Sequence, residues 1–359
     1  MGPSDHDKFT HDLLGVDPAG FAPAAAGAAA DDDVDPPPPN TADVLPPPGP
    51  ATPPPEPATA DTPPPSPERQ AWAAGRGTLD TAAKQIKALE IWGVAAAADF
   101  KKRLGATETD AAAGKEAQAL KDLNALAAEV KAEFDKQRMP KAPTADEATA
   151  RKDAAKKVTS TAGHGTAADS ALVVDQLAKM PKELLDILDK NGTKVKVCQG
   201  SVTDYLTDLK GVQPRGWPAG STWDSVPGLQ RPASKEVVIA TVGQAAGNAH
   251  VPATGEGHGS VNLVIHETAH GVDYAANPHT SAGAPFNAAR TPDVGALSAY
   301  ETQPGNAGQE ETFAESCARY YSGTPSSAEN TPHLHKYWRG NPLAPAAPGG
   351  AAPGGDAGP

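Results

Sequence analysis

Four proline runs, DPPPPN, VLPPPGP, TPPPEP and TPPPSP, crowd the first seventy residues. Proline has no amide N–H and a fixed φ, so such runs neither pair within a sheet nor continue a helix. Residues 1–70 hold half of the chain's 38 prolines, with twelve acidic residues against Lys8 and Arg69. Too little apolar surface is present there to offset the entropy of ordering the chain. The reading is a disordered, partly polyproline II leader over 1–75, acting either as a plain spacer or as a delivery or docking tail. The stretch NPLAPAAPGGAAPGGDAGP, 341–359, reads as a second disordered tail. Any fold must therefore come from residues 76–340.

The leader also carries most of the net charge of −13. The remainder is near neutral and has no basic stripe, which excludes nucleic acid and an acidic lipid surface as partners. No apolar run is long enough for a membrane span. The start, MGPSDHDKFTHDLLG, lacks the apolar stretch of a signal peptide. Secretion or delivery from the cytoplasm is thus expected to proceed without a cleaved signal. Cys198 and Cys317 are too few for a disulfide scaffold. Each is expected as a small buried apolar residue, with one disulfide between them as the alternative.

Residues 78–105 repeat apolar positions at threes and fours (Ile86, Leu89, Ala96, Phe100, Leu104), and 114–140 does the same (Leu120, Leu123, Ala127, Val130, Phe134). This spacing predicts two helices joined as a hairpin, followed by a polar linker, the whole spanning 76–165. From 166 to 340 the pattern is α+β. A helix over 168–192 precedes a strand at 193–200. A turn-rich stretch, 214–234, holds Trp217 and Trp223, which are expected to pack. A strand at 235–243 and a helix from 260, capped by Ser260, come next. The last predicted helix spans 309–323.

The helix from 260 contains HETAH, residues 266–270. At about 100° per residue His266 and His270 share one face, opposite Val261, Val264, Ile265, Val272 and Ala275. Two histidines at i and i+4 can bind one metal ion, and Glu267, one step round, can reach a water on it as general base. A catalytic zinc needs a third protein ligand. The H-E-x-x-H-x-x-G-x-x-H continuation is absent, because Asp273 and Ala276 stand at its last two fixed positions. A carboxylate from QEETFAESCARYY is the alternative. There Phe313, Cys317, Tyr320 and Tyr321 form an apolar face toward which Glu310 points. Glu311 and Glu315 lie together on the other side. Glu311 is therefore the expected third ligand, and Glu315 the carboxylate that hydrogen-bonds a ligating histidine's free N–H. His250, His258 and Asp273 are given no catalytic role.

HETAHGVDY followed by a tyrosine and EETFAE resembles the anthrax lethal factor family of gluzincin peptidases, as do PRGW, TWDSVPG and KEVVIAT upstream. The resemblance covers about 168–323. It implies a zincin-like catalytic domain with a small mixed sheet, a Zn2+ cofactor on His266, His270 and Glu311, and Glu267 as base. It implies Tyr300 as the catalytic tyrosine, although Tyr300 lies eleven residues before Glu311, a wider spacing than the family's. The implied activity is endopeptidase cleavage of a protein or peptide substrate. With the leader it also implies an exported toxin or effector, handled by a secretion or injection apparatus. The competing reading is a zinc-stabilised binding or structural module without turnover.

Overall fold

The computed structural model describes residues 65–213, 220–323 and 328–343. The leader up to residue 64, Trp217 and the tail from 344 lie outside the described residues. The last part of the expected leader is a helix, α1, Pro67–Ala74. Ser66 caps it by accepting from the Arg69 amide, and Pro67 and Glu68 fill the first turn. Cap, N-terminal proline and acidic first turn together specify a helix start that proline content alone obscures.

The predicted hairpin is a three-helix unit: α2 (Arg76–Ile91), α3 (Ala97–Ala112) and α4 (Glu116–Arg138). The expected helix 78–105 breaks at Gly93, whose φ of 74° is the left-handed conformation that glycine tolerates. The Val94 amide reaches back to the Leu89 carbonyl at 2.9 Å and closes the end. Ile86, Leu89, Phe100, Leu123, Val130 and Phe134 form the core of this unit.

The polar linker expected to end at 165 is ordered. Thr144 and Glu147 form a reciprocal capping box that starts α5, Ala145–Val158. Its Ala154, Ala155 and Val158 join the main core, and β1, Thr159–Thr161, follows directly. The helix expected over 168–192 is interrupted at Pro181, giving α6 (Ala167–Leu177) and α7 (Lys182–Asn191). β2 (Lys194–Gln199), β3 (Gly228–Arg231) and β4 (Glu236–Thr241) complete a sheet in the order β1-β2-β4-β3. β1, β2 and β4 are parallel, and β3 runs antiparallel to β4. β4 is thus interior, with Val237–Thr241 fully buried, as a strand covered on both faces must be. β1 and β3 are the edge strands, and β3 lies inside the stretch read as turns.

Helix α8, Leu263–Asp273, lies against this sheet. Its cap is Asn262, not Ser260: the Asn262 Oδ1 accepts from the Ile265 amide at 3.1 Å. Ser260 instead points its hydroxyl at Glu315, 3.4 Å away. Val264, Ile265, Ala269 and Val272 face the core together with Phe313, Ala314 and Cys317 of α10, Ala307–Tyr321. Between α8 and α10 runs α9, Ala284–Arg290, and after α10 comes α11, Pro332–Arg339. α11 joins the two parts of the molecule. Trp92 donates to the Pro332 carbonyl at 3.0 Å, and its ring stacks on His335 at 4.5 Å. Both cysteines are buried and free, in different clusters. Among the described residues no helix is long and apolar enough to cross a membrane.

Candidate active site

One turn of α8 separates His266 from His270, and their Nε2 atoms stand 3.2 Å apart. Across from them α10 presents Glu311, whose Oε2 lies 3.4 Å from His266 Nε2 and 3.3 Å from His270 Nε2. All three side chains are buried, yet this oxygen makes no well-formed hydrogen bond. Three converging lone-pair atoms in a dry site are costly unless a proton or a cation sits among them. The proton response points the same way. Burial pushes His266 down, but the Glu315 and Glu311 carboxylates outweigh it and hold the imidazole up to about 10. His270 is also raised, burial again opposing and Glu311 prevailing. Two imidazole nitrogens and one carboxylate oxygen, all mutually close, form a set that could hold a metal ion. Its chemistry suits zinc with one coordination position left open.

Behind this set, His266 Nδ1 meets Glu315 Oε1 at 3.1 Å, a close contact bent away from good hydrogen-bond geometry. It aims Nε2 at the centre. Glu315 is held in turn by Ser260 and, at 4.0 Å, by Arg319. Arg319 also bonds Glu301 at 2.5 Å, and Glu301 accepts from Ser298 Oγ at 3.0 Å. The main-chain carbonyl of Glu301 takes Arg290 at 2.7 Å and Thr312 at 2.9 Å. These contacts fix the loop that carries Tyr300. The Tyr300 hydroxyl faces Glu311, and burial followed by the Glu311 charge raises its pKa well above the ordinary value.

Glu267 points toward β3, where its side chain comes up against Gly228 and the main-chain N–H of Gln230 favours its charged form. Burial raises its carboxyl pKa, with His266 and His270 opposing. This approach requires Gly228. A Cβ there would lie 2.6 Å from Leu263 Cδ1 and 2.9 Å from Glu267 Cγ. Pro227 pairs with Ala240 through the bond from the Ala240 amide, so by alternation Gly228 and Gln230 turn their main-chain groups to the free edge.

His266, Glu267, His270, Tyr300, Glu311 and Glu315 all line one cleft of about 710 Å³. β3, the Gly-rich loop before α8 and the Tyr300 loop form its walls. Several lining groups were not singled out from sequence. Arg319 is one. Tyr274 is another, donating to Glu310 at 2.7 Å. Glu310 therefore sits in a polar pocket with Tyr274 and His279, rather than on the apolar face expected for it. His258 reaches the cleft and bonds the Pro252 carbonyl, whereas His250 pairs with Glu256 outside it. Asp273 accepts from the Ser281 amide at 2.6 Å and ties down the end of α8.

The family described as anthrax toxin lethal factor, N- and C-terminal domain, matches residues 151–337, from within α5 to within α11. The chain belongs to the anthrax lethal factor family. The lethal factor match contains the whole cleft and excludes the three-helix unit. A Pro-Pro endopeptidase of Paenibacillus alvei is 43% identical over 108 residues, which cover 29% of this chain and 45% of that protein. A Pro-Pro endopeptidase of Clostridioides difficile is 36% identical over 155 residues, 42% of this chain and 63% of that protein. The chain thus spans about half to three-fifths of the length of these curated relatives. The solved structure of the P. alvei Pro-Pro endopeptidase aligns with 52% of this chain and 98% of its own, at 29% identity and a TM-score of 0.41.

Proposed function

We propose that this chain is a zinc-dependent endopeptidase that hydrolyses peptide bonds between prolines in a protein substrate. The observation that carries the reading is the convergence of His266, His270 and Glu311 beside a half-buried carboxylate, Glu267, in an open cleft. The two relatives named Pro-Pro endopeptidase support the choice of bond. The cleft walls suit proline rings, since Trp223, Val226, Pro227 and Leu229 line them.

Zinc on the three ligands would supply a Lewis acid that polarises the scissile carbonyl and acidifies a water. The remaining work belongs to the chain. An extended substrate would lie along the free edge of β3, using the main-chain groups of Gly228. Glu267, made more basic by burial, takes the proton of the attacking water and returns it to the leaving nitrogen. The Tyr300 hydroxyl, which faces Glu311 at rest, would turn to donate to the developing oxyanion. Glu315 keeps the His266 ring in register.

A zinc-stabilised module without turnover would need the ligands but not Glu267 or an open edge strand. The two readings separate on one experiment. A peptide with a central Pro–Pro bond is incubated with the zinc-loaded protein, with chelator, and after zinc is restored. Cleavage that chelator abolishes and zinc restores supports the peptidase. A chelator that lowers only thermal stability, with no cleavage under any condition, supports the module.

A further inference from the structure

Four proline runs stand in the chain itself, at 36–39, 46–48, 53–55 and 63–65. We propose that the cleft hydrolyses a Pro–Pro bond within Pro46–Pro48 of the chain's own leader, an inference that rests on the peptidase reading above.

The choice of run follows from charge, shape and reach. Run 63–65 abuts the Ser66-capped start of α1, so no free chain follows it to lie along an edge strand. Asp35 directly precedes run 36–39, and Glu56 directly follows run 53–55. Five glutamates line the cleft, Glu267, Glu301, Glu310, Glu311 and Glu315, against Arg319 alone among its described Lys and Arg residues, so even the two charges of a bound zinc leave it net negative. A further carboxylate beside the scissile bond is disfavoured there by like-charge repulsion in a partly dry site. Of the three runs with free chain after them, 46–48 is the one with uncharged immediate neighbours on both sides, Val44-Leu45 before it and Gly49 after it. These apolar flanks match Val226, Leu229 and Val261 on the cleft wall. Sixteen residues separate Pro48 from Pro65, the first described residue. At about 3.3–3.6 Å per residue they span up to roughly 55–60 Å. That is about three times the roughly 19 Å radius of gyration of a folded body this size, so the run extends well clear of the body that carries it and is open to its own cleft or to that of another copy.

The step is a plain hydrolysis. Water oxygen bonds the carbonyl carbon of the first proline, and the C–N bond to the next proline breaks. The leaving prolyl nitrogen takes the proton passed by Glu267. The products are a leader fragment ending in a proline carboxylate and a chain beginning at Pro47 or Pro48. No reactant besides water is needed.

Zinc-loaded full-length protein, its Glu267→Gln variant and a Pro46→Ala/Pro47→Ala/Pro48→Ala variant are followed from purification by intact mass and N-terminal sequencing. A peptide of unrelated sequence with one Pro–Pro bond serves as activity control. The expected result is a new N-terminus at Pro47 or Pro48 in the wild type, formed at least about 100-fold more slowly in Glu267→Gln. The triple-alanine variant keeps this junction intact while cleaving the control peptide at the wild-type rate. A wild-type chain that cleaves the control peptide yet keeps 46–48 intact, or is cut only at another run, overturns the inference and leaves the peptidase reading standing. If neither the control peptide nor the leader is cut, the peptidase reading fails and the inference with it.

Discussion

Gly228→Ala isolates the contact between the edge strand and the proposed base. The new methyl would stand 2.6 Å from Leu263 Cδ1, 2.9 Å from Glu267 Cγ and 3.1 Å from Glu267 Oε1. Ordinary carbon contacts sit at about 3.5–4.0 Å, so roughly 1 Å must be recovered by moving α8, β3 or the two side chains. Leu263 is buried in the main core and has little room to yield. Overpacking of this kind costs about 1–3 kcal/mol of stability. Glu267 is the freer neighbour, and its displacement by up to about 1 Å lowers turnover about 100-fold. That is roughly 2.7 kcal/mol of barrier. His266, His270 and Glu311 supply none of the three atoms nearest the new methyl, so zinc content is expected to stay at the wild-type level. Urea unfolding, metal analysis and kcat on a Pro–Pro peptide measure the three effects separately. A variant that keeps kcat within about threefold of wild type, with unchanged stability, would refute the reasoning that β3 sets the position of Glu267.

Removing the Tyr300 hydroxyl with Tyr300→Phe is expected to lower kcat about 100- to 1000-fold with zinc content unchanged, as read by single-turnover kinetics. Arg319→Ala leaves Glu301 buried without its cation and is expected to cost about 3–5 kcal/mol in urea unfolding, part of which Arg319→Met/Glu301→Gln recovers. Burial against Trp92 and Tyr320, aided by Arg339 and Arg138, pushes His335 down to about 3 from its ordinary 6.5. A base depressed in this way takes up its proton first in the unfolded chain, so it lowers stability as pH falls from about 6.5 toward 3. His335→Phe keeps the ring stacking, and its pH-dependent loss between pH 6.5 and 4 is expected to be smaller than wild type by up to about 3 kcal/mol in urea titrations.

The grouping of His266, His270 and Glu311 was largely legible because helices repeat simply. Phase alone puts His266 with His270 and separates Glu311 from Glu310. The structure brings the first three of these together. The position of Tyr300 was not readable from phase, since its loop is fixed by Glu301, Arg290 and Arg319 from elements far apart in sequence. β3 was unreadable for another reason. Four residues flanked by Pro227 and Pro232 are too short to display a period, and only pairing with β4 makes them a strand. Other features carried signals that went unused. Thr144 and Glu147 spell a capping box, Trp92-Gly93 marks a left-handed stop, and Ser66-Pro67-Glu68 marks a start. Ser260 and Asn262 are both sound caps by type. The choice between them was made by Glu315, which takes the Ser260 hydroxyl.

The most direct test of the account compares wild type with Glu267→Gln for zinc content and for cleavage of a Pro–Pro peptide in the same preparations. The account predicts one zinc per chain in both and turnover at least about 100-fold lower in the variant. Cleavage by Glu267→Gln at the wild-type rate would contradict it.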